Sequence, residues 1–280
     1  MAMTYKTILV LFDGRQDAVA RLETAIEIAR RQDAHLKALS LAVSPSIPSY
    51  ANHPILLEAL VTQQEQSREK AEAVLDAFNT KAAGLSHAGT IVECRDVEVV
   101  DEIALHARYA DLLVIEQYDP EHPGTGGEAL PQHLVLDAGL PVLVIPYIGI
   151  SRPPGGKVMV AWNAGSEAAR AVRDALPFLK RAERVDVVVA DPAKHVGTHG
   201  EEPGADIALF LARHDCNVEV QHLPNGVADT GEALLSHVAD RGSDLLVMGA
   251  YGHARLRQLI LGGVTQTIMG EMTVPVLMSR

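Results

Sequence analysis

The chain is written twice. Ile8-Leu-Val-Leu-Phe12-Asp13-Gly14 is a short apolar run ending in Asp-Gly, followed by a helical pattern to about Arg31. Val158-Met-Val-Ala-Trp162-Asn163-Ala-Gly165 has the same form, followed by a helical pattern from Ser166 to about Leu179. Asp111-Leu-Leu-Val-Ile115 matches Asp244-Leu-Leu-Val-Met248, and Gly139-Leu-Pro141-Val-Leu-Val-Ile145 matches Thr273-Val-Pro275-Val-Leu-Met278. The offsets are 150, 133 and 134 residues, and the order is kept. Such self-similarity at a fixed period marks a duplicated unit, here of about 140 residues. Gly149 to Gly156, with Ser151-Arg152-Pro153-Pro154, reads as the linker between copies at 1–149 and 157–280.

Each copy alternates strand and helix patterns. Strands are expected near 7–12, 35–42, 89–94, 111–116 and 140–146, then near 157–162, 184–190, 217–223, 244–249 and 273–279. Helices are expected near 16–31, 55–82, 98–108 and 129–137, then near 166–180, 204–214, 229–241 and 263–271. Continuous apolar strands joined by amphipathic helices imply parallel sheets covered on both faces. Right-handed crossovers then give an α/β fold of two tandem doubly wound, five-stranded, Rossmann-like domains. Aromatic residues are 4% of the chain, so its core must be aliphatic. The fifth strands, 140–146 and 273–279, are apolar edges. Pairing them with each other inside one chain would bury both and make the monomer a pseudo-dimer.

The formal charge of −12 and pI near 5.4 argue against nucleic-acid or anionic-membrane partners, which require a basic surface. Cys94 and Cys216 lack CxxC spacing, so a reducing compartment is the default. No run reaches membrane-spanning length, and Met1-Ala-Met-Thr-Tyr-Lys leads directly into a strand-like run. The expectation is a soluble, cytoplasmic protein.

Function is written most densely after the second copy of Asp-Leu-Leu-Val. There stand Gly249-Ala-Tyr-Gly252, nine further residues, then Gly262-Gly263-Val264-Thr265 before a helix. Glycines let a backbone approach an anion, and free N–H groups at a helix start point at it. Five strands per copy, the Asp-Gly end of the first strand, and G-x2-G-x9-G before the last helix resemble the universal stress protein family. The duplication resembles its tandem-domain members, over essentially the whole chain.

The resemblance implies an adenine nucleotide, ATP or AMP, with Mg²⁺ as an optional companion. By position it implies Ala161, Trp162 and Asn163 near the adenosine, with Val189 or Ala190 beside the base. Met248, Gly249, Gly252, Gly262, Gly263, Val264 and Thr265 would surround the ribose and phosphates. Gly263 stands where the family has Ser or Thr, which leaves a backbone N–H and, two residues on, the Thr265 hydroxyl. Asn163 replaces the family's Asp. It can still bond a ribose hydroxyl but gives up the charge-assisted bond of a carboxylate and its use for a metal.

The first copy keeps Asp13 but has Glu116, Asp119, Glu128 and Ala129 in place of the glycines. Carboxylates repel phosphate and Cβ atoms block close approach, so this copy is expected not to bind nucleotide in the family's way. Asp13 there reads as a turn cap. Arg255 and Arg257 could reach phosphates. Trp162 could equally stack on a base or pack. His195, His199, Glu201, Glu202, His214, Cys216 and His222 lack convergent zinc spacing, so no metal is expected.

With no Walker lysine, the first expectation is a nucleotide-binding stress-response regulator or interaction module with an unidentified protein partner. Homodimerisation is compatible with it. The alternatives are a nucleotide-independent scaffold or chaperone-like protein, and a slow ATP hydrolase or metal-binding enzyme on this fold. Helix 55–82 and loop 117–128 are candidate partner surfaces.

Overall fold

The computed structural model describes residues 4–13, 18–46, 54–189, 202–223, 229–251 and 263–280. The main chain separates into two compact units, Tyr5–Leu140 and Pro141–Arg280.

The Tyr5–Leu140 unit runs β1 (Thr7–Leu11), α1 (Ala18–Gln32), β2 (His35–Ser44), α2 (Pro54–Lys81), β3 (His87–Arg95), a 3₁₀ turn (Asp96–Glu98), α3 (Val99–Ala107), β4 (Leu112–Glu116) and α4 (Leu130–Asp137). Its strands lie in the order β3-β2-β1-β4, all parallel. Ile8, Leu9, Val10, Leu112, Leu113 and Val114 are buried without polar alternation, as a parallel sheet covered on both faces demands. Phe78, buried on α2, meets the His87 ring edge-on at 5.5 Å.

The Pro141–Arg280 unit begins with β5 (Val142–Ile145) and continues through β6 (Lys157–Trp162), α5 (Ser166–Asp174), α6 (Leu176–Leu179), β7 (Arg184–Val189), α7 (Ala205–Ala212), β8 (Val218–His222), α8 (Thr230–Arg241), β9 (Leu245–Gly249), α9 (Gly263–Glu271) and β10 (Val276–Ser279). Its order is β5-β10-β9-β6-β7-β8. Among its described strands only the β5–β10 pair is antiparallel, with Leu143 opposite Leu277. That is the pairing of the two apolar fifth strands expected from sequence. It also explains why the compact unit starts at Pro141, ahead of the linker: β5 of the first copy exchanges hydrogen bonds with the last strand of the second.

The repeated Asp-Leu-Leu-Val has a mechanical role. Asp111 Oδ2 accepts the N–H groups of Lys6 and Thr7 at 2.7 and 2.8 Å. Asp244 accepts those of Gly155, Gly156 and Lys157 at 2.8, 2.9 and 3.0 Å. In each unit the carboxylate ties the entry of one central strand to the start of its neighbour, satisfying N–H groups the ladder leaves unpaired.

One helix differs from expectation. The span 166–180 is two helices, broken at Ala175 with Pro177 in the first turn of α6. Proline has no N–H to continue the ladder, and its ring clashes with the carbonyl four residues earlier. At the next helix pair, Asp229 caps α8, accepting Gly231 and Glu232 N–H groups, and also accepts the Thr267 hydroxyl of α9. Gly242, at φ 60, ends α8 in the left-handed turn that glycine adopts without penalty.

Candidate functional site

Doubly wound sheets hold ligands beyond the carboxyl ends of their strands, where the chain reverses its direction of strand addition. In the second unit that place lies between β6 and β9. Register sets Ala161 opposite Met248 and Trp162 opposite Val189, so the ends of β9, β6 and β7 are neighbours in that order. Ala161, Trp162, Asn163, Val189, Met248 and Gly249 therefore come together at one edge. Trp162 is half-buried and Asn163 exposed. Gly263 opens α9, Val264 follows half-buried, and Thr265 is buried one step further. Ala190, Gly252 and Gly262 lie outside the described residues, as do Arg255, Arg257, His195, His199 and Glu201.

Local bonding sets what these residues have left to offer. Asn163 Oδ1 accepts the Gly165 N–H at 2.9 Å, closing a turn in which Ala164 has φ 58. Its NH2 remains as a donor at the mouth of the crevice. Gly249 is required by packing: a Cβ there would stand 2.4 Å from the Ala168 nitrogen and 2.5 Å from the Glu167 carbonyl carbon. The first turn of α5 thus lies directly on the end of β9. Gly263 is different, since a Cβ there would meet nothing within 4 Å among the described residues.

Sequence reasoning passed over Tyr251, inside the glycine loop. Its φ is 62, a left-handed conformation uncommon for a non-glycine residue. Its hydroxyl is buried with no partner among the described residues, and burial pushes its phenol up to about 12. Strained residues of this kind gather at ligand sites.

The first unit holds different chemistry at the equivalent place. Arg21 of α1, only 2% exposed, donates from Nη2 to Asp13 Oδ1 at 2.9 Å, and its Nη1 lies 3.6 Å from Oε2 of Glu116, itself 4% exposed. Asp13 is thus an ion-pair partner across the crevice, and the turn it was expected to cap lies outside the described residues. Arg21 went unnoticed because an arginine on a predicted helix reads as a solvated face. The visible signal was the two acids it serves. At the 150-residue offset its counterpart is Ala171, buried at 1%. Nearby, Asp119 accepts the Glu121 N–H at 2.9 Å and pairs with His122 Nδ1 at 3.0 Å. Burial works to raise its carboxyl, but the bonds from His122 and Glu121 outweigh this and hold it below the usual range.

Two described histidines of the second unit, His222 and His214, are engaged locally. His222 Nε2 bonds the Pro203 carbonyl at 3.0 Å, and His214 lies against Phe210 with ring centroids 4.7 Å apart. Among the described residues no three His, Cys, Asp or Glu side chains converge as a metal site. Cys94 and Cys216 are free and buried, and burial pushes both thiols up. Among the described residues no helix is long and apolar enough to cross a membrane.

The model of the universal stress protein family matches this chain twice, over residues 4–120 and 156–280. The chain belongs to the universal stress protein family. A universal stress protein of Synechocystis sp. is 33% identical over 132 residues, which is 44% of this chain and 42% of that relative. This chain therefore spans less than half the length of that relative. Among solved structures, a universal stress protein from Archaeoglobus fulgidus superposes with a TM-score of 0.73 at 16% identity, covering 98% of each chain. A functionally unknown Pseudomonas aeruginosa protein reaches 0.57 at 16% identity, over 98% of this chain and 92% of its own. At such identities the likeness is one of fold. It supports two tandem copies of the α/β unit of this family.

Proposed function

We propose that this universal stress protein binds an adenine nucleotide, ATP or AMP, in its second copy, residues 157–280. In this reading it works as a cytoplasmic regulator or interaction module whose bound state alters contact with a protein partner. The observation that carries it is the convergence of the β6, β7 and β9 ends with the start of the glycine loop, where Tyr251 is strained to φ 62.

Trp162 and Val189 would flank the base, and the Asn163 NH2 would donate to a ribose hydroxyl. The phosphates would meet the backbone N–H groups at Gly263 and Val264, in the first turn of α9. The Asn163 amide is a poor ligand for Mg²⁺ where a carboxylate would serve, so an ion would enter held chiefly by the nucleotide's own phosphates.

Gly263 gives a clean test. A Cβ there would meet no atom of the described residues within 4 Å, so Gly263→Glu is expected to fit and to set a carboxylate against the phosphates. Purified protein is denatured and the released nucleotide quantified by chromatography. About one adenine nucleotide per chain, lost in Gly263→Glu while the two chains melt alike once freed of nucleotide, is the expected result. Nucleotide content that ignores the substitution refutes the site. No released nucleotide, with no thermal shift on adding ATP or AMP, refutes nucleotide binding itself.

One observation favours a second reading, a nucleotide-independent scaffold. Gly249 is already accounted for by the close approach of α5, so the first glycine of the motif does not by itself demand a ligand.

A further inference from the structure

One turn from its start, α9 is tied sideways to α8. Asp229 Oδ1 accepts the Gly231 and Glu232 N–H groups at 2.6 and 3.1 Å, and its Oδ2 accepts the Thr267 hydroxyl at 3.2 Å. Beside this bond the two helices touch. A Cβ on Gly231, buried in the first turn of α8, would stand 2.7 Å from Thr267 Cβ and 2.9 Å from its Cγ2. The anchor lies about 6 Å along the helix axis from Gly263, the first residue of α9.

The bond departs from what a helical threonine does by default. Thr24, Thr62 and Thr80 each donate to the carbonyl one turn back, on Ala20, Glu58 and Asp76. For Thr267 that carbonyl belongs to Gly263. Bonds of this kind bend a helix. A hydroxyl has one proton to give, and Thr267 gives it to Asp229. Asp229 is likewise more than a cap requires. Serine would accept the same N–H groups of α8 without bringing negative charge towards a helix start that is to receive phosphates. What serine lacks is the second oxygen, the one bonded to Thr267.

The first copy handles the same two positions differently. At the offset of 133 residues they are Asp96 and Leu134. Asp96 accepts the N–H and the hydroxyl of Ser46, just past β2, at 3.1 and 2.5 Å, and the Val97 N–H at 2.8 Å. Leu134 is buried and has no hydroxyl to offer. The tie to the last helix thus belongs to the copy that carries the glycine loop.

We propose that Asp229 and Thr267 are positioning residues for the phosphate site. Their bond fixes the tilt of α9, and with it the aim of the Gly263 and Val264 N–H groups. The inference rests on the nucleotide reading of the second unit. Hydrogen bonds weaken steeply as the donor swings off line, so releasing the anchor weakens the hold on phosphates. It spares the adenosine, which in that reading lies against the ends of β6 and β7.

The test uses the intact protein, freed of bound nucleotide and titrated calorimetrically with ATP, AMP and adenosine. Thr267→Val keeps the branched shape and the cap of α8 and deletes only the hydroxyl. Thr267→Ser restores the hydroxyl. Asp229→Ser keeps the cap but cannot reach Thr267. Thr267→Val is expected to bind ATP and AMP about fivefold more weakly than the native chain. Adenosine is expected to change by less than about twofold, and Thr267→Ser to bind all three as the native chain does. In an Asp229→Ser background, Thr267→Val is expected to bring no further loss. A bond that merely stabilised the fold would weaken all three ligands alike.

The proposal is overturned if Thr267→Val binds ATP and AMP as tightly as the native chain, or if adenosine loses as much as ATP. It is overturned equally if Thr267→Ser fails to restore binding, or if the losses at Asp229 and Thr267 simply add. In each of these cases the native chain still binds nucleotide and the reading of the second unit stands. A native chain that binds neither ATP nor AMP refutes that reading, and this inference with it.

Discussion

The two crevices solve one packing problem in opposite ways. In the second unit Gly249 and Ala171 leave no side chain between sheet and helix, and α5 closes directly onto the end of β9. In the first unit Glu116 and Arg21 occupy the same two places and face each other as a buried ion pair at 3.6 Å, with Asp13 as a second carboxylate. The lesson is that a lost glycine motif need not be decay. When Glu replaces Gly at the strand end, the space it needs and the charge it brings are answered together by Arg in place of Ala on the facing helix. Changing one member of either pair alone should therefore be worse than changing both.

The largest effect is expected at Arg21. Arg21→Met leaves the buried Glu116 without its cation and should destabilise the first unit by about 3–5 kcal/mol, read by urea unfolding. The double variant Arg21→Met, Glu116→Met should recover much of that loss. If the double variant is as unstable as the two single losses added together, the two positions are not coupled and the comparison breaks.

Gly249→Ala comes next. Its Cβ would press on helix backbone, which cannot swing aside as a side-chain tip can, so a loss of about 3 kcal/mol is expected. Gly263→Ala, with no described atom near its Cβ, should be neutral or slightly stabilising, by about 0.5 kcal/mol. Equal thermal shifts for these two variants would show that the α5 contact is not what fixes Gly249.

The strand ties should rank by burial and bond number. Asp244→Ala orphans three N–H groups around a buried carboxylate and should cost about 2 kcal/mol. Asp111→Ala releases two N–H groups near solvent and should cost about 1 kcal/mol. A reversed order in paired thermal melts would refute this account of the repeated Asp-Leu-Leu-Val.

The smallest effect concerns pH. The Arg95 side chain, with its own backbone N–H, bonds Glu98 and holds that carboxyl down to about 2. A depressed carboxyl stabilises the folded state above its unfolded value near 4.5 and loses that contribution as pH falls toward 2. A carboxyl resonance for Glu98 titrating near 4.5 in the native chain would remove this tie from the first unit.

Much of this was legible in the chain. The duplication, the strand and helix order and the pairing of the fifth strands follow from apolar runs of fixed length and period. These are local signals, and the sheet obeys them because parallel strands buried on both faces tolerate little else. The break at Ala175 was missed, although Pro177 signals it. The role of Gly249 was half legible. Its spacing suggested a ligand, but the backbone of Glu167 and Ala168 that makes glycine necessary lies some eighty residues earlier in the chain.

By itself, the sequence determined the family, the two copies and the places where each copy would open a crevice, because composition and period act through neighbours along the chain. Only the tertiary structure decided what fills those crevices. It turned Arg21 inward onto Asp13 and Glu116, and set α5 against Gly249. The energy of a buried charge or a backbone contact depends on residues that meet only after the sheet has formed, and no spacing along the chain records that meeting.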